Sequence, residues 1–113
     1  MKYDKINYSN VKAIKHEYKD GYYSVCCYVE LLDMYVWFDV EIVDNDVECD
    51  WNKYIFFLDN NDDLKIRDFQ ENIEMFELID SISVDYLCNN GLIYQGDGDD
   101  YKWYDKNKEI ELV

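Results

Sequence analysis

Apolar and polar residues alternate from Tyr22 to Val43, and this pattern limits the fold more than any other feature of the sequence. A period of two places apolar side chains on one face of a β-strand and polar side chains on the other. Two runs share the pattern, with apolar positions Tyr23, Val25, Cys27, Val29 and Leu31 in the first and Met34, Val36, Phe38, Val40 and Ile42 in the second. The pattern predicts an antiparallel hairpin with one buried face.

The register of this hairpin follows from its apolar faces. A two-residue loop at Leu32 and Asp33 aligns the faces, and it places Val29 opposite Val36, Cys27 opposite Phe38 and Val25 opposite Val40. A slip of one residue would turn the apolar side chains of the two strands to opposite faces. The loop lacks the Asn-Gly or Asp-Gly pair that is typical of such loops, so its sequence gives the register no independent support.

The flanking segments predict further strands and one helix. The Asp20-Gly21 turn would fold Val11–Tyr18 back as an earlier strand, and Lys53–Leu58 has the composition of a short buried strand. Apolar residues then recur at spacings of three and four, which predicts a helix that begins near Asp63 or near Asp68. Its apolar side consists of Ile66, Phe69, Ile73, Phe76 and Ile79.

The last third of the chain returns to strand patterns. Asn90-Gly91 is the strongest hairpin signal, and it would join Ser81–Cys88 to Leu92–Gln95. Two more short strands are predicted at Tyr101–Tyr104 and Glu109–Val113. The alternative is a short helix over residues 83–89, with Gly91 just beyond its carboxyl end.

These elements predict an α+β fold in one domain that spans residues 1–113. An antiparallel β-meander of about six to eight short strands would carry one principal α-helix near residues 64–80.

The polar positions of the hairpin define a second face that carries both aromatic residues and carboxylates. In the predicted register Tyr28 lies opposite Trp37, Glu30 opposite Tyr35, Cys26 opposite Asp39 and Ser24 opposite Glu41. A fully solvated face seldom carries a Trp and two Tyr. Either the helix or a C-terminal strand covers this face as a second core layer, or the face binds a partner. The candidate partner-binding residues are Tyr28, Glu30, Tyr35, Trp37, Asp39 and Glu41.

The net charge of −15 restricts the classes of partner. It argues against direct binding to a nucleic-acid backbone or to an anionic membrane surface, both of which attract basic proteins. No apolar run approaches a membrane span, the chain shows no signal peptide, and the four cysteines form no C-x-x-C pair, so we expect a cytoplasmic protein with free thiols. The abundance of Asn, Lys, Ile and Tyr is typical of an AT-rich bacterial or phage gene.

The sequence carries no recognised catalytic motif, and we expect neither an enzyme nor a cofactor. His16 is the only histidine, and the acid-rich segments at 44–49 and 59–70 lack the glycine and glutamate of a calcium-binding EF-hand loop. Gly96–Asp100 resembles a single calcium-binding β-roll unit, a motif that requires tandem copies. No metal site is therefore predicted. A small enzyme or ligand-binding domain is the third hypothesis, and it predicts a pocket that holds a carboxylate of raised pKa.

The charge distribution favours a basic protein partner. Residues 1–20 hold five lysines and three acids, whereas the remainder holds six basic and 23 acidic residues. That excess is larger than solubility requires and would steer association with a basic protein. The expected function is that of an acidic inhibitor, either an immunity or antitoxin-type protein that neutralises a basic bacterial toxin of the nuclease class, or a phage-encoded nucleic-acid mimic of the anti-CRISPR or anti-restriction type.

Overall fold

The alternating hairpin forms the centre of a four-stranded antiparallel sheet. The computed structural model describes residues 3–43, 46–57, 63–95 and 101–103. The sheet has the order β1-β2-β3-β4, with β1 at Val11–Lys19, β2 at Tyr22–Val29, β3 at Met34–Val43 and β4 at Asp46–Phe57. Two helices follow, α1 at Asp63–Gln70 and α2 at Ile73–Asn89, and then a separate ribbon of β5 at Ile93–Gln95 and β6 at Tyr101–Trp103.

The predicted α+β class is confirmed, with one main helix on an antiparallel sheet. The main sheet has four strands, fewer than the six to eight of the predicted meander. The predicted strand at Glu109–Val113 and the loop at Gly96–Asp100 lie outside the described residues. No helix in the ranges that the structure describes is long and apolar enough to cross a membrane.

The β2–β3 hairpin has the predicted faces but a different register. Val29 pairs with Met34 and Cys27 with Val36, two residues away from the predicted partners. The connection is four residues long, because Glu30–Leu32 form a single 3₁₀ turn and Asp33 adopts a left-handed φ of 49°. A shift of two residues leaves every side chain on its original face, so the apolar pattern alone cannot distinguish the two registers.

The Asp20-Gly21 turn is confirmed, with Lys19 paired to Tyr22 and Gly21 at a φ of 98°. β4 is longer than predicted, because it begins at Asp46 rather than at Lys53. Its acid-rich first half has the same period of two, with Val47, Cys49 and Trp51 packed against the core. The acid density of this segment concealed that alternation.

The single helix predicted near residues 64–80 is two helices. The side chain of Asn72 accepts a hydrogen bond from the Met75 amide at 3.1 Å and so starts α2, while α1 begins at the first predicted position, Asp63. Ile73, expected on the apolar side, is 74% exposed. The apolar spacing of three and four residues continues across the break between α1 and α2. The sequence pattern therefore could not distinguish two helices from one helix.

The strand predicted at Ser81–Cys88 is wrong, and the alternative helix is confirmed as the second half of α2. The Leu92 amide donates to the Leu87 carbonyl at 2.9 Å, and the Gly91 amide donates to the Cys88 carbonyl at 3.1 Å. With Gly91 at a φ of 70°, these bonds form a Schellman motif. Asn-Gly therefore ends a helix here instead of turning a hairpin.

The core lies between the sheet and the helices. Val25, Val29, Met34, Val36 and Phe38 are fully buried on the sheet side, and Phe69, Ile79 and Leu87 are fully buried on the helix side. The four cysteines are free, as expected. The helices thus pack against the core face of the sheet, which leaves the opposite face to be explained.

Candidate functional site

The candidate site is the face of the sheet that points away from α1 and α2, here called the outward face. Tyr28, Tyr35, Trp37 and Asp39 lie on it and are half-buried, while Glu41 lies on it and is exposed. Glu30, by contrast, belongs to the 3₁₀ turn between β2 and β3 and is exposed at the end of the sheet. The structure therefore brings five of the six predicted residues onto one surface.

The shifted register changes which of these residues are neighbours. Tyr28 pairs with Tyr35, Cys26 with Trp37 and Ser24 with Asp39, in place of the four predicted pairs on this face. The rings of Tyr28 and Tyr35 lie 5.0 Å apart. These cross-strand pairs form one continuous row along the outward face, from an aromatic end at Tyr35 to a carboxylate end at Asp39.

Tyr28 has a defined structural partner. Its hydroxyl donates to the carboxylate of Asp33 at 2.6 Å, and this hydrogen bond is the main cause that raises the pKa of Tyr28 to about 12. The bond holds Asp33 in the left-handed conformation that closes the β2–β3 connection. Tyr28 therefore presents its ring, with its hydroxyl already engaged, to any partner.

A groove of about 550 Å³ lies at the carboxylate end of the outward face. The hydroxyl of Ser24, which is only 1% exposed, donates to Oδ1 of Asp39 at 2.8 Å. The amide of Asn52 donates to the same oxygen at 3.0 Å and to the Ser24 hydroxyl at 3.4 Å. The described lining residues are Glu17, Lys19, Tyr22, Ser24, Trp37, Asp39, Trp51 and Asn52.

A β-bulge positions Asn52 beside this groove. Val36 pairs with Ile55 but Phe38 pairs with Trp51, so three residues of β4 lie opposite Trp37. Bulges of this kind re-aim side chains and occur often next to binding sites. Sequence reasoning missed Asn52 because the predicted strand began at Lys53, although the alternation of Val47, Cys49 and Trp51 was a usable signal.

Four carboxylates face one another across β3 and β4. Asp39 pairs with Asp50 and Glu41 with Glu48, and all four side chains belong to the outward face. We call this set the carboxylate ladder. No lysine or arginine occurs from Met34 to Asn52, and like charges directly opposite each other destabilise a sheet. The sequence indicated the acid density but not this pairing.

The first strand gives the outward face a basic border. Lys12 pairs with Tyr28, Lys15 with Cys26 and Lys19 with Tyr22. The Lys15 ammonium lies 5.6 Å from the centroid of the Trp37 ring, a cation–π contact. Across the sheet, the outward face therefore changes from lysines on β1 through aromatic residues to carboxylates on β3 and β4.

The described residues contain no group of three or more His, Cys, Asp or Glu side chains placed to hold a metal ion. His16 lies on the other face, where its Nδ1 is 2.8 Å from the hydroxyl of Tyr86 on α2. Comparison with protein-family models, with curated proteins and with solved structures finds no match for this chain. The geometry and the charge of the outward face are therefore the basis for a functional proposal.

Proposed function

We propose that this chain is a non-enzymatic acidic inhibitor of the immunity or antitoxin type, which binds and neutralises a basic bacterial toxin of the nuclease class. The observation that carries the proposal is the outward face, on which Tyr35 and Trp37 lie next to the carboxylate ladder. Aromatic anchors surrounded by complementary charge are typical of protein–protein hot spots.

The carboxylate ladder supplies the attraction. Its members repeat every two residues along each strand, about 7 Å, and lie about 5 Å apart across the strands. A nuclease groove is basic because it must hold a phosphate backbone. The ladder would steer such a protein toward the outward face and compete with nucleic acid for its groove.

The aromatic residues favour the immunity-type interpretation over pure charge mimicry. Charge alone gives fast but salt-sensitive association, whereas a Trp that packs against the partner supplies apolar contact that salt does not screen. Trp37 is half-buried, and Tyr35 lies two residues away on the same strand and face. We place the partner contact at Tyr28, Tyr35, Trp37, Asp39 and Glu41, with exposed Glu30 at its edge.

The alternative proposal is a phage-encoded nucleic-acid mimic that blocks a host defence nuclease, of the anti-CRISPR or anti-restriction type. The absence of basic residues from Met34 to Asn52 favours it, because opposed carboxylates resemble two rows of phosphates. In that case affinity would fall steeply with salt, and neutralising the carboxylate ladder would weaken binding more than Trp37→Ala. Both proposals place the protein in the cytoplasm.

The test is capture from a lysate of the source organism, or of the phage host, followed by an activity assay. Tagged protein is used as bait with washes at low and high salt, and the captured protein is then assayed for nuclease activity. We expect one basic protein whose activity the chain inhibits at a one-to-one ratio. A captured partner that remains fully active, or specific capture of acidic proteins alone, would contradict the proposal.

A further inference from the structure

The groove on the outward face contains a carboxylate that the protein holds in place but does not neutralise. Both hydrogen bonds to the Asp39 carboxylate, from Ser24 and Asn52, fall on Oδ1. Among the residues that the structure describes, none donates to Oδ2, and no lysine or arginine forms an ion pair with Asp39. Two donors thus fix the orientation of the carboxylate and leave Oδ2 without a donor among the residues that the structure describes.

The side chains around Asp39 favour a cation of a particular shape. Trp37 and Tyr22 contribute aromatic surface, and the Trp37 ring already attracts an ammonium group of the chain itself, that of Lys15. At the rim, the charge of Lys19 is paired with Glu17 at 3.3 Å. A guanidinium combines a planar face for stacking on an aromatic ring with paired N–H donors for a carboxylate.

We propose that this groove binds an arginine side chain of the basic partner, with its guanidinium hydrogen-bonded to Oδ2 of Asp39 and stacked on Trp37. This inference rests on the proposed function and names the group that the site recognises. It makes Asp39 the specific contact of the outward face, and the rest of the carboxylate ladder a source of general attraction.

The first measurement titrates the folded protein with N-acetyl-arginine amide and follows ¹⁵N–¹H spectra. We expect saturable shifts of the Trp37 indole N–H and of the Asn52 side-chain amide. N-acetyl-citrulline amide has nearly the same shape without the charge, and we expect it to bind about tenfold more weakly, since a charge-assisted hydrogen bond is lost. N-acetyl-lysine amide is expected to bind more weakly than the arginine amide because its ammonium group cannot stack.

Matched variants locate the contact. Asp39→Asn removes the charge but keeps an acceptor for Ser24 and Asn52, and it should weaken arginine-amide binding about tenfold. Asp85→Asn makes the same change on α2, on the other side of the sheet, where Asp85 is exposed. That variant should leave the binding constant within about twofold.

Several results would overturn the inference. Equal shifts with the citrulline amide, equal losses in the two variants, or no saturable shift in the tens-of-millimolar range would each exclude a guanidinium site. Tighter binding of free arginine than of its amide would indicate a small-molecule site instead of a contact for a protein side chain. The citrulline comparison uses the unmodified protein, so it decides the question even where Asp39→Asn fails to fold.

The proposed function can fail separately. When the arginine amide does not bind but a basic partner is captured and inhibited, only the arginine inference is wrong. When the amide binds at Trp37 and Asn52 but the captured partner retains its activity, the groove is still an arginine-binding site and the inhibitor proposal is wrong.

Discussion

At the scale of single residues, Trp37 and Trp51 show how strand alternation places two residues of the same type in different environments. Trp51 packs edge-to-face against Phe38, Phe69 and Phe76 in the core, and its indole N–H donates to the Gln70 carbonyl at 3.1 Å. Trp37 lies on the opposite face and is half-buried beside Lys15. Trp51 therefore contacts aromatic rings of the core, whereas Trp37 contacts a lysine side chain on the outward face.

This difference predicts that the same substitution destabilises the protein to different extents. Trp51→Ala should lower the free energy of unfolding by about 3 kcal/mol, because it leaves a cavity among three aromatic rings. Trp37→Ala should lower it by about 1 kcal/mol, a loss that leaves the protein folded. Urea denaturation followed by circular dichroism measures both. If Trp37→Ala unfolds the protein, the outward face is a second core layer and the site is misplaced.

The buried thiol of Cys27 predicts a dependence on alkaline pH. Burial is the main cause that raises the pKa of Cys27 from its ordinary value of 9.0 to about 12. Because folding favours the neutral thiol, its stabilising contribution is complete below about pH 9 and is lost as the pH rises toward about 12. In the native protein at pH 8, Cys27 should react with a disulfide reagent much more slowly than it does in urea. Equal rates would contradict the burial of this thiol.

At the scale of elements, the two strands of the central hairpin were predictable and the connection between them was not. Burial of Val25, Val29, Val36 and Phe38 follows from alternation alone, because each side chain can face only one way. The four-residue turn could not be predicted, because a register shift of two residues keeps every side chain on the same face of the sheet. The groove depends on that turn and on the β4 bulge, so its geometry did not follow from the sequence pattern.

The end of α2 provides a test of one such connection. Gly91 has a φ of 70°, and a β-carbon added there would meet nothing within 4 Å, so the cost of Gly91→Ala is backbone strain alone. We expect a loss of about 1 kcal/mol in the free energy of unfolding. Asn89→Ala, at the last helical position, should cost less because its backbone is already helical. A larger loss for Asn89→Ala than for Gly91→Ala would contradict the Schellman assignment.

The carboxylate ladder predicts that reversing one of its charges stabilises the folded protein. Glu48→Lys replaces a like-charge pair with an opposite-charge pair opposite Glu41, and it should raise the free energy of unfolding by up to about 1 kcal/mol at low salt. The gain should shrink as salt is added, since salt screens exposed charges. Thermal denaturation at two salt concentrations measures this effect. A destabilised Glu48→Lys variant would contradict the observed β3–β4 register.

At the scale of the whole molecule, the two faces of the sheet differ in composition and in packing. One face packs against α1 and α2 and forms the core, and the other carries lysines, aromatic residues and carboxylates in successive bands. A net charge of −15 opposes folding through self-repulsion, a cost that the proposed binding of a basic partner would account for. The overall acidity was evident from composition, but the band order depends on the strand order of the folded sheet.

The most direct test of the central claim compares capture of a basic partner by the natural protein and by Trp37→Ala, side by side in one lysate. The account predicts that the natural protein retains one basic protein in near-stoichiometric amount after a high-salt wash, and that folded Trp37→Ala loses most of it. Asp85→Asn, the charge control on α2, should retain it fully. Equal capture by the natural protein and by Trp37→Ala would contradict the claim that the outward face is the partner-binding surface.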